Sequence, residues 1–173
     1  MMKKLFCWLI AVCLITALFP VTAFAAESGS CGENATWTLD GSTLTISGTG
    51  STEDYEIGDA PWYSKRTAVK TIVVEEGITR LGAKIFAYTT NATRAELPST
   101  LKEIGREAFM ACYALARADL PEGLEVIGHG AFSSCKPLDG IVLPESLERV
   151  ESYAFHFTGL TTITIPRSIT TLE

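Results

Sequence analysis

The sequence has little of the material from which active sites and metal centres are built. Two histidines, His129 and His156, stand in 173 residues, and neither has a second ligand at the spacing a metal site uses. There are five cysteines, but Cys7 and Cys13 fall in an N-terminal leader. The others, Cys31, Cys112 and Cys135, are odd in number and allow at most one disulfide among themselves. Cross-links therefore do not build this fold, and an apolar core must. No histidine lies near these thiols to serve as a base, so a cysteine nucleophile is not expected. Basic clusters are lacking too. The chain carries 14 Lys and Arg against 20 Asp and Glu, a net charge of −6. Nucleic acid is excluded as a partner on that balance, because affinity for phosphates comes from clustered cations. Gly48-Thr49-Gly50 lacks the lysine and helix of a phosphate loop. The acidic residues 53–59 lack the ligand spacing of a calcium loop and read as a solvated loop. Catalytic residues, cofactors and metals are all expected to be none.

What is present begins with a targeting signal. Lys3 and Lys4 precede an apolar run over residues 5–19, Pro20 breaks it, and Ala23-Phe24-Ala25 supplies small residues at the positions a signal peptidase reads. Residues 1–25 are expected to be a signal peptide cut after Ala25, with an uncleaved N-terminal membrane anchor as the alternative. Removing them takes two lysines and no acid, leaving 12 basic and 20 acidic residues and a net charge of −8.

The rest of the chain is organised by one period. Phe86, Phe109, Phe132 and Phe155 recur at intervals of 23, as do Leu81, Ile104, Ile127 and Val150 five positions earlier. Ala108, Ala131 and Ala154 precede three of the phenylalanines, with Ile85 in the first slot. Pro98, Pro121 and Pro144 keep the step and Pro166 follows at 22. Several columns in one phase define a repeat whose units cannot bury an apolar face alone but can do so when stacked. Strands are expected at 69–74, 92–97, 115–120, 138–143 and 160–165, their alternating residues facing one side. The prolines end them. Gly82, Gly105 and Gly128 are expected at positive φ where each coil bends, with a looser turn where Glu151 takes that slot. Ala95 and Ala118 stand where other coils have isoleucine and should draw the wall inward or leave a gap.

Residues 31–63 fall outside the period. Thr36–Leu39 and Thr43–Ser47 flank Asp40-Gly41-Ser42 as the two arms of a hairpin, read as a cap on the first coil. The fold class is a mainly β repeat solenoid with this N-terminal β-hairpin cap. The domains read as a signal peptide 1–25, an N-terminal β cap 26–66, and a solenoid 67–173 of about 4.5 coils with a 23-residue period. Leu172 falls in the Leu81 column one residue before the sequence stops. The expectation is a truncated product, or a coil completed by a partner.

The repeat resembles a known family. Leu138-x-x-Ile141-x-Leu143-Pro144, Leu147-x-x-Val150 and Ala154-Phe155 look like the BspA-type leucine-rich repeat of bacterial surface proteins. Cys31-Gly32, Trp37, residues 44–50 and Ala60-Pro61-Trp62 resemble the segment preceding such repeats in Gram-positive members. The resemblance implies an extracellular, non-enzymatic protein linked to adhesion or protein binding, and its bacterial character discounts the glycosylation patterns at Asn34 and Asn91.

The candidate binding site is the outer face of the strands. One column there runs Thr71, Arg94, Arg117, Gly140 and Thr162, and its neighbour runs Val73, Glu96, Asp119, Val142 and Thr164. Stacked arginines beside stacked acids give paired stripes of opposite sign. They are read either as self-neutralising across a solvated sheet or as a rigid patch that contacts an extracellular protein. The alternative role for the whole chain is a structural spacer or fragment whose effector region lies beyond residue 173. Cys112 and Cys135 share one column and are expected as a buried thiol pair or as a disulfide. Both histidines are expected on the surface.

Overall fold

The computed structural model describes residues 26–169 together with residues 171 and 172. The expected signal peptide lies outside the described residues. Among them, no helix is long and apolar enough to cross a membrane.

The chain enters through three antiparallel strands. β1 (Glu27–Ser30), β2 (Ala35–Asp40) and β3 (Thr43–Gly48) are paired in sequence order. Gly41 turns β2 into β3 at φ 56°, a conformation that favours glycine. Register sets Trp37 opposite Ile46 and Leu39 opposite Leu44, so all four bury one face of the hairpin. β3 then pairs in parallel with β5 (Thr71–Val74), which places that apolar face over the interior of the first coil.

From there the chain winds as a solenoid with two parallel sheets. The first continues from β5 through β7 (Arg94–Glu96) to β9 (Arg117–Ala118), with Arg94 beside Arg117 and Ala95 beside Ala118. The second joins β4 (Gly50–Ser51), β6 (Ile78–Leu81), β8 (Glu103–Ile104), β10 (Val126–Ile127), β11 (Arg149–Val150) and β12 (Thr171–Leu172) in that order. A third line of bonds links the turns. Phe86, Phe109 and Phe132 each donate a backbone N–H to the alanine carbonyl of the next coil, at 2.8 Å in every case. The chain also tightens after the proline column, where Leu101, Leu124 and Leu147 donate back to Pro98, Pro121 and Pro144 at 3.0–3.2 Å.

The repeated phenylalanines occupy one environment. Phe86 and Phe109 stand 5.1 Å apart between ring centroids, Phe109 and Phe132 5.1 Å, and Phe132 and Phe155 5.7 Å. The column begins ahead of the first repeat, where Trp62 lies 6.2 Å from Phe86 and Trp37 meets Trp62 edge-on at 5.6 Å. The rings from Phe86 to Phe132 are fully buried, and the leucine and isoleucine columns at 81, 104 and 127 are as dry.

Four expectations are corrected. Residues 138–143 and 160–165 do not form strands, and the first sheet ends at β9; Gly140 and the exposed threonines at 161, 162 and 164 leave those segments without a paired ladder. Gly82, Gly105 and Gly128 are not at positive φ. They are glycines because the backbone of the preceding segment runs against them. A Cβ at Gly82 would lie 1.8 Å from the Glu53 carbonyl oxygen, at Gly105 2.6 Å from that of Leu81, and at Gly128 2.8 Å from the Arg106 nitrogen. The turn at Glu151 is no looser than its fellows. Its N–H bonds Ile127 at 2.9 Å, as Gly128 bonds Ile104 at 2.8 Å. Ala95 and Ala118 are buried and paired with each other, so the expected gap does not lie between them, and the ladder is lost only beyond Ala118.

Positive φ appears elsewhere, in two columns of period 23. Lys84, Glu107, Gly130 and Tyr153 have φ of 54–60°, and Tyr88, Ala111, Ser134 and Phe157 have φ of 54–67°. A left-handed conformation costs a non-glycine residue about 1 kcal/mol or more. Inter-coil bonds of the turn ladder, donated by the N–H groups of Lys84, Tyr88, Glu107, Ala111, Gly130 and Ser134, hold those six residues there.

Candidate protein-binding face

The parallel register of β7 and β9 stacks Arg94 on Arg117, and Glu96 and the Asp119 that follows β9 border the same depression. Outward alternation leaves all four exposed while Ala95 and Ala118 point into the core. The ion pairs form along each strand rather than across the stack. Arg94 binds Glu96, and Arg117 binds Asp119 at 2.9 Å through Nε and a terminal nitrogen. Both arginines are more than half exposed, at 57% and 73%, so water screens these pairs and each adds at most about 1 kcal/mol to stability. The four charged side chains and Ala95 border a shallow depression of about 320 Å³.

Of the other predicted face residues, Thr71 and Val73 lie beside Arg94 and Glu96 in the register of β5 with β7, and the rest are spread out. Val142 is 80% exposed and borders a second depression of about 150 Å³ with Asp119 and Gly140. Thr162 lines a third, about 250 Å³, beside Phe155 and Ile163. Thr71 and Val73 are half-buried on β5, and Thr164 is exposed outside any strand. The structure thus brings Arg94, Glu96, Arg117 and Asp119 together, with Thr71 and Val73 of β5 beside Arg94 and Glu96 and Val142 adjoining, and leaves Thr162 and Thr164 apart.

The remaining chemical candidates resolve into structural contacts. Cys31, Cys112 and Cys135 are buried free thiols. Cys112 donates to the Phe86 carbonyl and Cys135 to that of Phe109, each at 3.2 Å, so both clip adjacent coils together. Burial raises the Cys112 thiol well above its ordinary pKa, with Cys135 adding to the effect, and pushes Cys135 up to about 12. Burial, with Glu53 nearby, lifts Cys31 to about 11. Thiolates are suppressed at all three, the reverse of what a nucleophile needs. Residues 53–59 form an exposed loop, as expected, tethered to the first coil at Asp54. Asp54 accepts the Ala83 N–H at 2.7 Å and an Arg80 nitrogen at 2.8 Å, and these hydrogen bonds, the backbone one foremost, hold its carboxyl below the usual range. Arg80 also binds Glu103 at 3.0 Å, so one guanidinium ties the Asp54 loop to two coils.

His129 is half-buried rather than on the surface, while His156 is exposed. His129 Nδ1 lies 2.9 Å from Ser152 Oγ, and the Glu151 carboxylate accepts the His129 backbone N–H at 2.9 Å. No carboxylate binds the imidazole among the described residues, so this serine and histidine lack the group that would orient a base. Tyr153, His156 and Phe157 continue from His129 as an exposed aromatic strip with centroid separations of 5.5, 5.2 and 4.0 Å. No expectation from the sequence covered this strip. The period held a signal, since 129 and 152 occupy one column.

These coils, each a short strand, a proline turn and a second short strand around one apolar ladder, define a leucine-rich-repeat solenoid. The BspA type leucine rich repeat region matches residues 56–173 in six copies, and the chain belongs to that family. Solved structures share the fold at low identity. A leucine-rich repeat protein from Eubacterium ventriosum aligns with 20% identity and a TM-score of 0.55, over 86% of this chain and 62% of that one. The T. pallidum leucine rich repeat protein aligns with 24% identity and a TM-score of 0.62, over 82% and 69%. A leucine rich cell surface protein from Faecalibacterium prausnitzii aligns with 22% identity and a TM-score of 0.52, over 84% and 50%. The chain therefore spans between half and about two thirds of the length of these structures. No curated protein matches the sequence.

Proposed function

We propose that this chain is a secreted or cell-surface binding module, non-catalytic, that contacts an extracellular protein through the outer face of β7 and β9. The observation that carries the reading is the rigid array of Arg94, Glu96, Arg117 and Asp119, fixed by parallel register over a buried floor and open to solvent. Strand register presets the geometry of such a face, so a partner binds it without first ordering the backbone. Family membership supports a binding role, and the cell-surface description of the Faecalibacterium protein supports the location. The apolar leader ending at Ala25 supports export.

The test is charge reversal. Arg94→Glu/Arg117→Glu should fold normally, because both side chains are solvent-exposed, and should lose the protein that the unaltered chain retains from extracellular extracts. A folded double variant that retains the same protein with equal yield overturns the proposal.

A further inference from the structure

Along one side the coils lose their backbone ladder from β9 onward. Along the strand face, Thr71 donates to Ser42 at 3.2 Å, Thr93 to Lys70 at 2.9 Å, and Ala116 and Arg117 both to Thr93 at 2.9 and 3.3 Å. The next step of that ladder would carry Asp139 to the Ala116 carbonyl. Among the described residues no backbone bond joins 139–143 to 116–120. Elsewhere the same two coils stay bonded, through Glu148 to Glu125 at 2.9 Å and Phe132 to Ala154 at 2.8 Å. The sequence supplies the cause. Pro137 precedes the segment without an N–H to donate, Gly140 contributes no side chain, and branched Ile141 follows the column of small Ala118.

Successive residues of a parallel strand turn their backbone groups to opposite sides. Arg117 bonds back toward β7, so the N–H and C=O of Ala118 face the opening, an unpaired strand edge. The opening is acidic at its lips. Asp119 and Glu122 are exposed on one side and Asp139 on the other, and neither Glu122 nor Asp139 has an ion-pair partner among the described residues. Between them lie apolar surfaces, with Leu120 and Ile141 half-buried and Val142 open to solvent.

We infer that this cleft beside β9 is a docking groove for an extended polypeptide segment in which basic and aliphatic residues alternate. The inference deepens the strand-face reading and rests on it. An added strand pairs its backbone with Ala118, sets alternate cations against Asp119, Glu122 and Asp139, and sets the intervening aliphatic side chains against Leu120 and Ile141. Phosphate backbones are repelled by the same carboxylates.

The test uses the purified protein and a fluorescent octapeptide of alternating lysine and valine, read by anisotropy. Two control peptides are the same composition in blocks and an alternating peptide with N-methylated backbone. The groove predicts binding at least 10-fold tighter for the alternating peptide than for either control. It also predicts slowed amide exchange at Ala118 and a 10-fold or greater loss with Glu122→Lys/Asp139→Lys, a change confined to exposed side chains. Equal binding of all three peptides, or unchanged exchange at Ala118, overturns it. If the peptide fails while Arg94→Glu/Arg117→Glu still abolishes retention of the extracellular protein, the groove falls and the wider face stands. If the peptide binds as predicted while retention ignores that reversal, the site is the groove alone and the wider face falls.

Discussion

Alanine at position 109 would remove the middle ring of the aromatic column. Phe109 is fully buried, with Phe86 and Phe132 each 5.1 Å away. Deleting a buried phenylalanine side chain costs about 3–5 kcal/mol in lost transfer energy and residual cavity. Two ring contacts worth roughly 0.5–1.5 kcal/mol each put the expected value in the upper part of that range. Phe155 is only partly buried and has one phenylalanine neighbour, at 5.7 Å. Phe155→Ala should therefore cost roughly half as much on the same scale. Urea unfolding followed by circular dichroism measures the difference. Trp37 and Trp62 lie at the start of the column, so their fluorescence reports that end separately. Because coils couple mainly to their neighbours, breaking the column at 109 should let the dichroism transition begin before the tryptophan transition. A cost for Phe109→Ala below about 1 kcal/mol, or equal costs at 109 and 155, would refute a continuous dry column.

Other expected outcomes follow from single contacts. Gly82→Ala drives a methyl into the Glu53 carbonyl and should destabilise by at least about 1–3 kcal/mol in a thermal melt. Ser134→Gly, at φ 67°, should raise stability by up to about 1 kcal/mol. The buried thiols make the fold alkali-sensitive. Their folded pKa values lie above the ordinary 9.0, so the contribution is whole below about pH 9 and is lost as pH rises toward about 12, the folded value of Cys135. Cys135→Thr should shrink that loss in urea titrations at pH 8 and pH 10.5. Asp54 titrates in the opposite sense. Its folded pKa is depressed from 3.8, so its stabilisation holds at neutral pH and disappears as pH falls below that value. Asp54→Asn should flatten the acid limb of a stability–pH curve.

The period was legible because every coil repeats the same burial problem, so Phe, Leu and Ala-Phe columns recur at the same spacing. The hairpin was legible from alternation on both sides of Asp40-Gly41-Ser42. The second sheet was not, because strands of two residues, such as β8 and β10, are too short to show alternation. β1 was missed for a related reason, since Glu-Ser-Gly-Ser has no apolar pattern and is a strand only because β2 offers an edge. The glycine column was found and misexplained, as a sequence does not distinguish a glycine needed for φ from one needed for close approach. The residues that do take positive φ include lysine, tyrosine and phenylalanine, which advertise nothing. At the candidate site the period placed Arg94 over Arg117. It could not show that each arginine would turn to the acid two residues on, which is a rotamer choice. The break after β9 had a signal in Pro137 and Gly140.

Native-state amide exchange, resolved by residue, tests the stacking of coils most directly. Phe86, Phe109 and Phe132 each donate to the next coil, so their amides should exchange only through global or coil-by-coil unfolding, with similar free energies, while Ala118 exchanges far faster from its open edge. Fast and mutually unrelated exchange at the three phenylalanines would contradict a single stacked core.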